Sequence, residues 1–207
     1  PFEEAALARW FAEALEGTPW QRPEVRGGHA LPRKAAWFVR KGCRCSYEYN
    51  GTAWEATEIP EWLIEIEKAV WAVVSSSADG ALEVPNSCVA NLYKDGSEAV
   101  DWHADNEPLF DGVHRDCFIL SLSLGASRRF DLRRRPKVGG GASDSRQMVS
   151  VELHAGDLLT MEGLFQKHWN HRVPRMVDLT SPRINLTWRA IREHSQRDGC
   201  PLASEAS

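Results

Sequence analysis

No paired CxxC motif occurs in this chain, and its five cysteines, Cys43, Cys45, Cys88, Cys117 and Cys200, are odd in number and scattered. That set lacks the paired spacing of a zinc module and fits a reducing, intracellular setting. No apolar run approaches the ~20 residues that a bilayer-spanning helix requires. A soluble, non-membrane protein is therefore expected, with nucleus and cytoplasm indistinguishable. Basic charge is also not in excess: 25 Lys and Arg against 29 Asp and Glu give a formal charge of −4, which argues against a generally basic nucleic-acid coat. Local basic patches stay possible. The Gly139–Gly141 run lacks the Lys-Ser/Thr signature of a P-loop, and no internal repeat is present. The chain begins at Pro1 rather than Met, so it is expected to be trimmed, with its native N-terminus hidden.

What is present is enough for one compact domain: 207 residues, 43% apolar and 26% charged. "PFEEAALARWFAEALEG" places Phe2, Ala6, Trp10 and Phe11, with Leu15 one turn on, along one helical stripe that ends at a glycine. "PEWLIEIEKAVWAVV" starts a second helix at Pro60, buries Leu63, Ile66, Val70 and Val73, and stops at "SSSADG". Between them, "AAWFVRKGCRCSYEYNG" reads as two short strands joined by a basic turn. From Asn86 onward strand follows strand: "SCVANLY", "CFILSLSLG", "RRFDLR", "VSVEL", "DLLTM" and "RINLTWRAI". Arg133 to Gln147 reads as a basic, Gly- and Ser-containing hairpin connection with a mobile tip. Helices first and strands afterward indicate an α+β fold, with helices against an antiparallel sandwich or barrel.

In "DWHADNE", His103 and Asp105 are two positions apart, and in a strand such residues point to one face. A third ligand is needed, and "QKHWNHRVP" offers both His168 and His171. Two imidazoles and a carboxylate make a facial triad that leaves about three positions of an octahedral iron(II) open. The strand "RINLTWRAI" adds a second clue. Ile184, Leu186 and Trp188 alternate with Arg183, Asn185, Thr187 and Arg189, so its polar face carries two guanidinium groups that suit a dicarboxylate. Asn91 and Tyr93 in "ANLYKDG" share one face by the same spacing.

Taken in order, "NLYKDG", "WHADNE", "SLSLG…RRF", "GDLLTM", "QKHWNHRVP" and "RINLTWR" resemble the AlkB family of iron(II)/2-oxoglutarate dioxygenases over about residues 32 to 190. The resemblance implies a double-stranded β-helix, or jelly roll, with the N-terminal helices packed outside. At 207 residues a single domain is expected over 1–192, with its core about 32–190, and the polar composition after Arg192 marks 193–207 as a flexible tail. The resemblance assigns iron(II) to His103, Asp105 and His171, making His168 a neighbour. Arg183 matches the arginine that pairs with the distal carboxylate of 2-oxoglutarate, and Asn91, Tyr93, Asn185, Thr187 and Arg189 match the rest of that shell.

For the substrate side, Trp37, Tyr47 and Tyr49 resemble the family's aromatic lid positions, and Arg33 falls in a "PRK" motif of some members. The loop "KGCRC" departs from the family's patterns in length and composition, leaving sequence and strand preference open. Asn106 and Glu107 follow the HxD directly, matching the place where the family puts polar or acidic residues beside the target base, and a carboxylate there would favour cationic N1-methyladenine and N3-methylcytosine. The basic stretches Arg33 to Arg44 and Arg128 to Lys137 are expected to contact phosphates. The implied activity is oxidative dealkylation of bases in DNA or RNA by a monomer, using iron(II), 2-oxoglutarate and O2, as direct-reversal repair. The alternatives are the same oxygenase chemistry on an RNA modification or a protein side chain, and a nucleic-acid-binding module without turnover.

Overall fold

The computed structural model describes residues 1–25, 29–49, 51–77, 82–135 and 148–203. Residues 136–147 of the Arg133–Gln147 connection and residues 78–80 of "SSSADG" lie outside the described residues. Helix α1 spans Glu4–Gly17, α2 spans Glu61–Ser77 and a short α3 spans Phe165–His168. The early strands are β1 (Glu24–Val25), β2 (His29–Ala30), β3 (Lys34–Val39), β4 (Tyr47–Tyr49), β5 (Thr52–Trp54) and β6 (Thr57–Glu58). The remainder are β7 (Ser87–Tyr93), β8 (Val100–His103), β9 (Ile119–Gly125), β10 (Arg128–Arg134), β11 (Met148–Leu153), β12 (Leu158–Met161), β13 (Trp169–Val173) and β14 (Arg183–Arg189).

Two sheets carry the molecule. A six-stranded sheet runs β12-β9-β14-β7-β3-β6, and a four-stranded sheet runs β11-β10-β13-β8. All pairings in them are antiparallel except that of β3 with β6. The period of two along each strand then sorts side chains into two cores. On one face, Ala90, Leu122, Ile184, Leu186 and Trp188 pack with Trp10, Ala14, Leu63, Ile66 and Val70 of the two long helices. On the other, Trp37, Val89, Tyr93 and Ile119 meet Val100, Phe130, Leu153 and Val173 of the four-stranded sheet. The result is an α+β jelly roll with α1 and α2 outside.

Some local expectations change. Leu15 is 38% exposed and Ala14 takes the buried place, because the 3.6-residue turn carries the α1 stripe to 10 and 14. The two strands read from "AAWFVRKGCRCSYEYNG" do not pair with each other: β3 joins β7, while β4 turns back on β5. In the segment after Arg192, expected as a polar tail, Cys200 is only 5% exposed, while Glu193, Gln196, Arg197 and Leu202 stay exposed.

Candidate active site

β8 and β13 are neighbours in the four-stranded sheet, and their register sets His103 directly opposite His171. The two rings lie 4.2 Å apart, centroid to centroid. β8 ends at His103, so Asp105 sits two residues beyond the strand rather than within it. Its backbone N–H donates to Gln166 Oε1 at 2.9 Å, which turns the carboxylate back toward the histidines. Asp105 Oδ1 is 3.5 Å from His103 Nε2 and 3.8 Å from His171 Nε2, and the three ligand atoms lie within 4.8 Å of one another. His168 is exposed at the end of α3 and outside this group.

The electrostatics favour metal-ready protonation states. Burial, with the neighbouring His103, pulls the His171 pKa down to about 3, leaving a neutral imidazole. Burial alone would raise the Asp105 carboxyl, but Arg189, then His171 and His103, hold it well below the usual range. His103 Nδ1 is 2.8 Å from the Asp101 carbonyl, an orienting contact for a ring that presents Nε2 to the site. Phe130 stacks on His171 with centroids 5.4 Å apart.

Across from the triad, β14 and β7 present the polar row. Arg183 is opposite Tyr93, and Asn185 is opposite Asn91. Arg183 is 1% exposed, and its Nη2 donates to Ser123 Oγ at 2.9 Å. Its Nε and Nη1 are buried without a hydrogen-bond partner among the described residues. Burial lowers its pKa to about 10 despite the nearby Tyr93. A buried cation with two unmatched donors fits a carboxylate ligand. Asn185 is held by Ser121 Oγ at 2.6 Å and the Leu122 carbonyl at 3.1 Å, and its Oδ1 accepts from Thr187 at 3.0 Å. A cavity joins the two halves and is lined by Asn91, Tyr93, Asn185, Thr187 and Arg189 as well as by the triad. Arg183 does not line it; its guanidinium packs on Tyr93, which does.

Two imidazoles and a carboxylate suit iron(II), and the orphaned donors of Arg183 suit the distal carboxylate of 2-oxoglutarate. The residues present therefore fit both groups.

At the cavity mouth, the Tyr47 hydroxyl donates to Glu107 Oε1 at 2.5 Å. Burial, and then Asp105, raise the Glu107 pKa, while Arg189 opposes them. Tyr49 meets His103 edge-on at 5.8 Å. An outer groove beside His103 is bordered by Glu48, Tyr49, Asn106, Glu107 and Arg135.

Three sequence expectations shift here. Trp37 is 1% exposed, donates to the Cys45 carbonyl at 2.8 Å and stacks on Tyr47, so it supports the mouth from within the core. Arg33 is buried as well, which removes it from phosphate contact but not from the site: it lines the cavity with the triad, its Nε donates to Asn91 Oδ1 at 2.6 Å, its Nη1 has no hydrogen-bond partner among the described residues, and its guanidinium lies 5.5 Å from the Tyr49 ring centroid. Arg128 is equally unavailable to phosphates, because its Nη atoms donate to the carbonyls of Asp95, Glu98 and Pro174. Lys34, Lys41 and Arg44 stay exposed, and Pro136 and Lys137 lie outside the described residues. Gln166, Ser121 and Ser123 were not singled out from sequence, although the alternation in "SLSLG" marks the two serines as one polar face.

The 2OG-Fe(II) oxygenase superfamily model matches residues 1–189. Alpha-ketoglutarate-dependent dioxygenase alkB homolog 3 of Mus musculus is 33% identical over 195 residues, covering 92% of this chain and 64% of the relative. DNA oxidative demethylase ALKBH2 of Arabidopsis thaliana is 30% identical over 193 residues, covering 84% of this chain and 58% of the relative. The chain thus spans less than two thirds of either relative's length. Among solved structures, the one titled "The structure of OsALKBH1" aligns with a TM-score of 0.57 at 20% identity, covering 91% of this chain and 92% of that one. A Pseudomonas putida prolyl-4-hydroxylase aligns at 0.54 and 16%, covering 92% and 89%, which supports the shared fold. With the triad and the polar row in place, the chain belongs to the 2OG-Fe(II) oxygenase superfamily, as an AlkB-like member.

Proposed function

We propose that this protein is a 2-oxoglutarate-dependent dioxygenase that removes alkyl groups from nucleobases, with N1-methyladenine and N3-methylcytosine as its characteristic substrates. The observation that carries the reading is Glu107: its Oε1 takes the Tyr47 hydroxyl, and its buried Oε2, with no hydrogen-bond partner among the described residues, has only Arg189 Nη1 at 3.7 Å as its counter-charge, two positions from Asp105. A carboxylate so placed favours a cationic base over a neutral one. The Arabidopsis thaliana relative, named a DNA oxidative demethylase, supports this reading.

Iron(II), 2-oxoglutarate and O2 supply, when bound, the oxidation of an N-methyl group to a hydroxymethyl group that leaves as formaldehyde. The chain supplies the setting. His103, Asp105 and His171 would hold the metal, the unmatched donors of Arg183 would pair with the distal carboxylate, and Phe130, Leu159 and Val89 keep the cavity wall apolar. Tyr49 offers an aromatic surface at the mouth for a base taken out of its stack, a step costing a few kcal/mol and less for a base that cannot pair.

The test is a panel of single- and double-stranded DNA and RNA carrying N1-methyladenine or N3-methylcytosine, scored for formaldehyde beside an Asp105→Ala control. Release from the intact protein and none from the variant supports the reading. An iron-loaded protein that consumes 2-oxoglutarate yet releases no formaldehyde from any oligonucleotide rejects it.

A further inference from the structure

We propose that Cys43, Cys45, His194 and Cys200 form a structural zinc site, separate from the iron triad, that fastens the C-terminal segment to the loop leading into Tyr47. In sequence these residues show only as a C-x-C and a distant H-x5-C. The fold brings their four ligand atoms within 4.8 Å of one another, and the group shares no residue with His103, Asp105 and His171.

The geometry is that of a tetrahedron. Zinc bonds of about 2.3 Å to sulfur and about 2.0 Å to nitrogen give edges of about 3.8 Å between sulfurs and about 3.5 Å from sulfur to nitrogen. Cys43 and Cys200 Sγ are 3.8 Å apart, and His194 Nδ1 lies 3.6, 3.4 and 3.5 Å from the sulfurs of Cys43, Cys45 and Cys200. Hydrogen bonding does not explain three thiols around one ring nitrogen, because a neutral imidazole nitrogen has a single in-plane lone pair. One cation at the centre satisfies all four atoms.

The surroundings fit thiolate ligands. The backbone N–H of Arg44 points at Cys200 Sγ at 3.4 Å, and that of Ser195 at Cys45 Sγ at 3.2 Å, as outer-shell donors to charged sulfur. Cys43, Cys45 and Cys200 are 8%, 0% and 5% exposed. A sulfur-rich set with four protein ligands leaves no open position, which marks a structural rather than a catalytic ion.

The site also has a mechanical consequence. The Cys45 carbonyl accepts from Trp37, Trp37 stacks on Tyr47, and Tyr47 holds Glu107. Ser46 adds a second tie across the same seam, donating through its backbone N–H and its hydroxyl to Asp198 Oδ2. Zinc would therefore fix the mouth of the active site through the chain's own tail.

The experiment is element analysis of the intact protein purified without chelators, with cobalt(II) substitution alongside. The expected result is near one zinc per chain beside any iron, retained in His103→Ala and in the control Cys117→Ser, and lost in His194→Ala and Cys200→Ser. Cobalt should give thiolate charge-transfer bands, a readout on the wild type that stands even if a cysteine variant does not fold. Wild-type protein with negligible zinc and no such bands overturns the proposal. So does zinc lost in His103→Ala but kept in Cys200→Ser, or a denatured wild type in which two of the five thiols are joined as a disulfide.

Discussion

Arg189 Nη2 lies 3.2 Å from Asp105 Oδ2, while the other carboxylate oxygen, Oδ1, faces His103 and His171. The guanidinium thus holds the ligand carboxylate from behind, and its Nη1 is 3.7 Å from Glu107 Oε2. Replacing it leaves two buried carboxylates without their cation. Arg189→Met should lower stability by roughly 3–5 kcal/mol and weaken iron(II) binding, with Arg189→Lys less affected. Thermal melts and metal titrations check this; an unchanged iron affinity in the Met variant would contradict it.

Arg183 makes a different prediction, because its cost and its use are separated. Without a carboxylate ligand its buried Nε and Nη1 are unmatched, so 2-oxoglutarate should raise the melting temperature of the wild type. Arg183→Met should lose that shift and weaken 2-oxoglutarate binding by on the order of a hundredfold, given about 2–5 kcal/mol for one partner of a buried charge pair.

Asp131 on β10 supports the histidine strand. Its fully buried carboxylate takes Arg172 Nε at 2.8 Å, Arg129 Nε at 3.0 Å and the Ser150 hydroxyl at 2.6 Å. Burial alone would raise its pKa, but Ser150 and the two arginines bring it below the usual value. A lowered folded pKa gives stability that is present above the unfolded value and lost as pH falls through the folded one. Asp131→Asn should therefore be less stable by about 2 kcal/mol at pH 7, with the gap closing in acid.

Leu186 lies on the opposite face of the same strand as Arg183 and Arg189, fully buried against the helices. Leu186→Ala should cost about 2–5 kcal/mol in denaturant unfolding. Its effect on 2-oxoglutarate affinity should be small by comparison with that of Arg183→Met.

The contrast between these two faces was legible in "RINLTWR", since a period of two sorts the residues without knowledge of their neighbours. His103 and Asp105 were legible by spacing, although only His103 is in the strand. Burial of charge was not. Arg33 and Arg128 read as phosphate contacts because sequence does not reveal which guanidinium is enclosed by carbonyls or by an asparagine. Trp37 and Tyr47 read alike for the same reason, yet one lies beneath the other. The grouping of Cys43 and Cys45 with His194 and Cys200 was invisible because about 150 residues of chain separate its two halves and only the fold closes that distance.

The central claim is tested most directly by measuring succinate and formaldehyde together on an oligonucleotide carrying N1-methyladenine, with iron(II), 2-oxoglutarate and O2 supplied. The account predicts that the two rise in equal amounts and that the unmethylated base is recovered. Succinate formed without formaldehyde, or formaldehyde undiminished in His171→Ala, would contradict it.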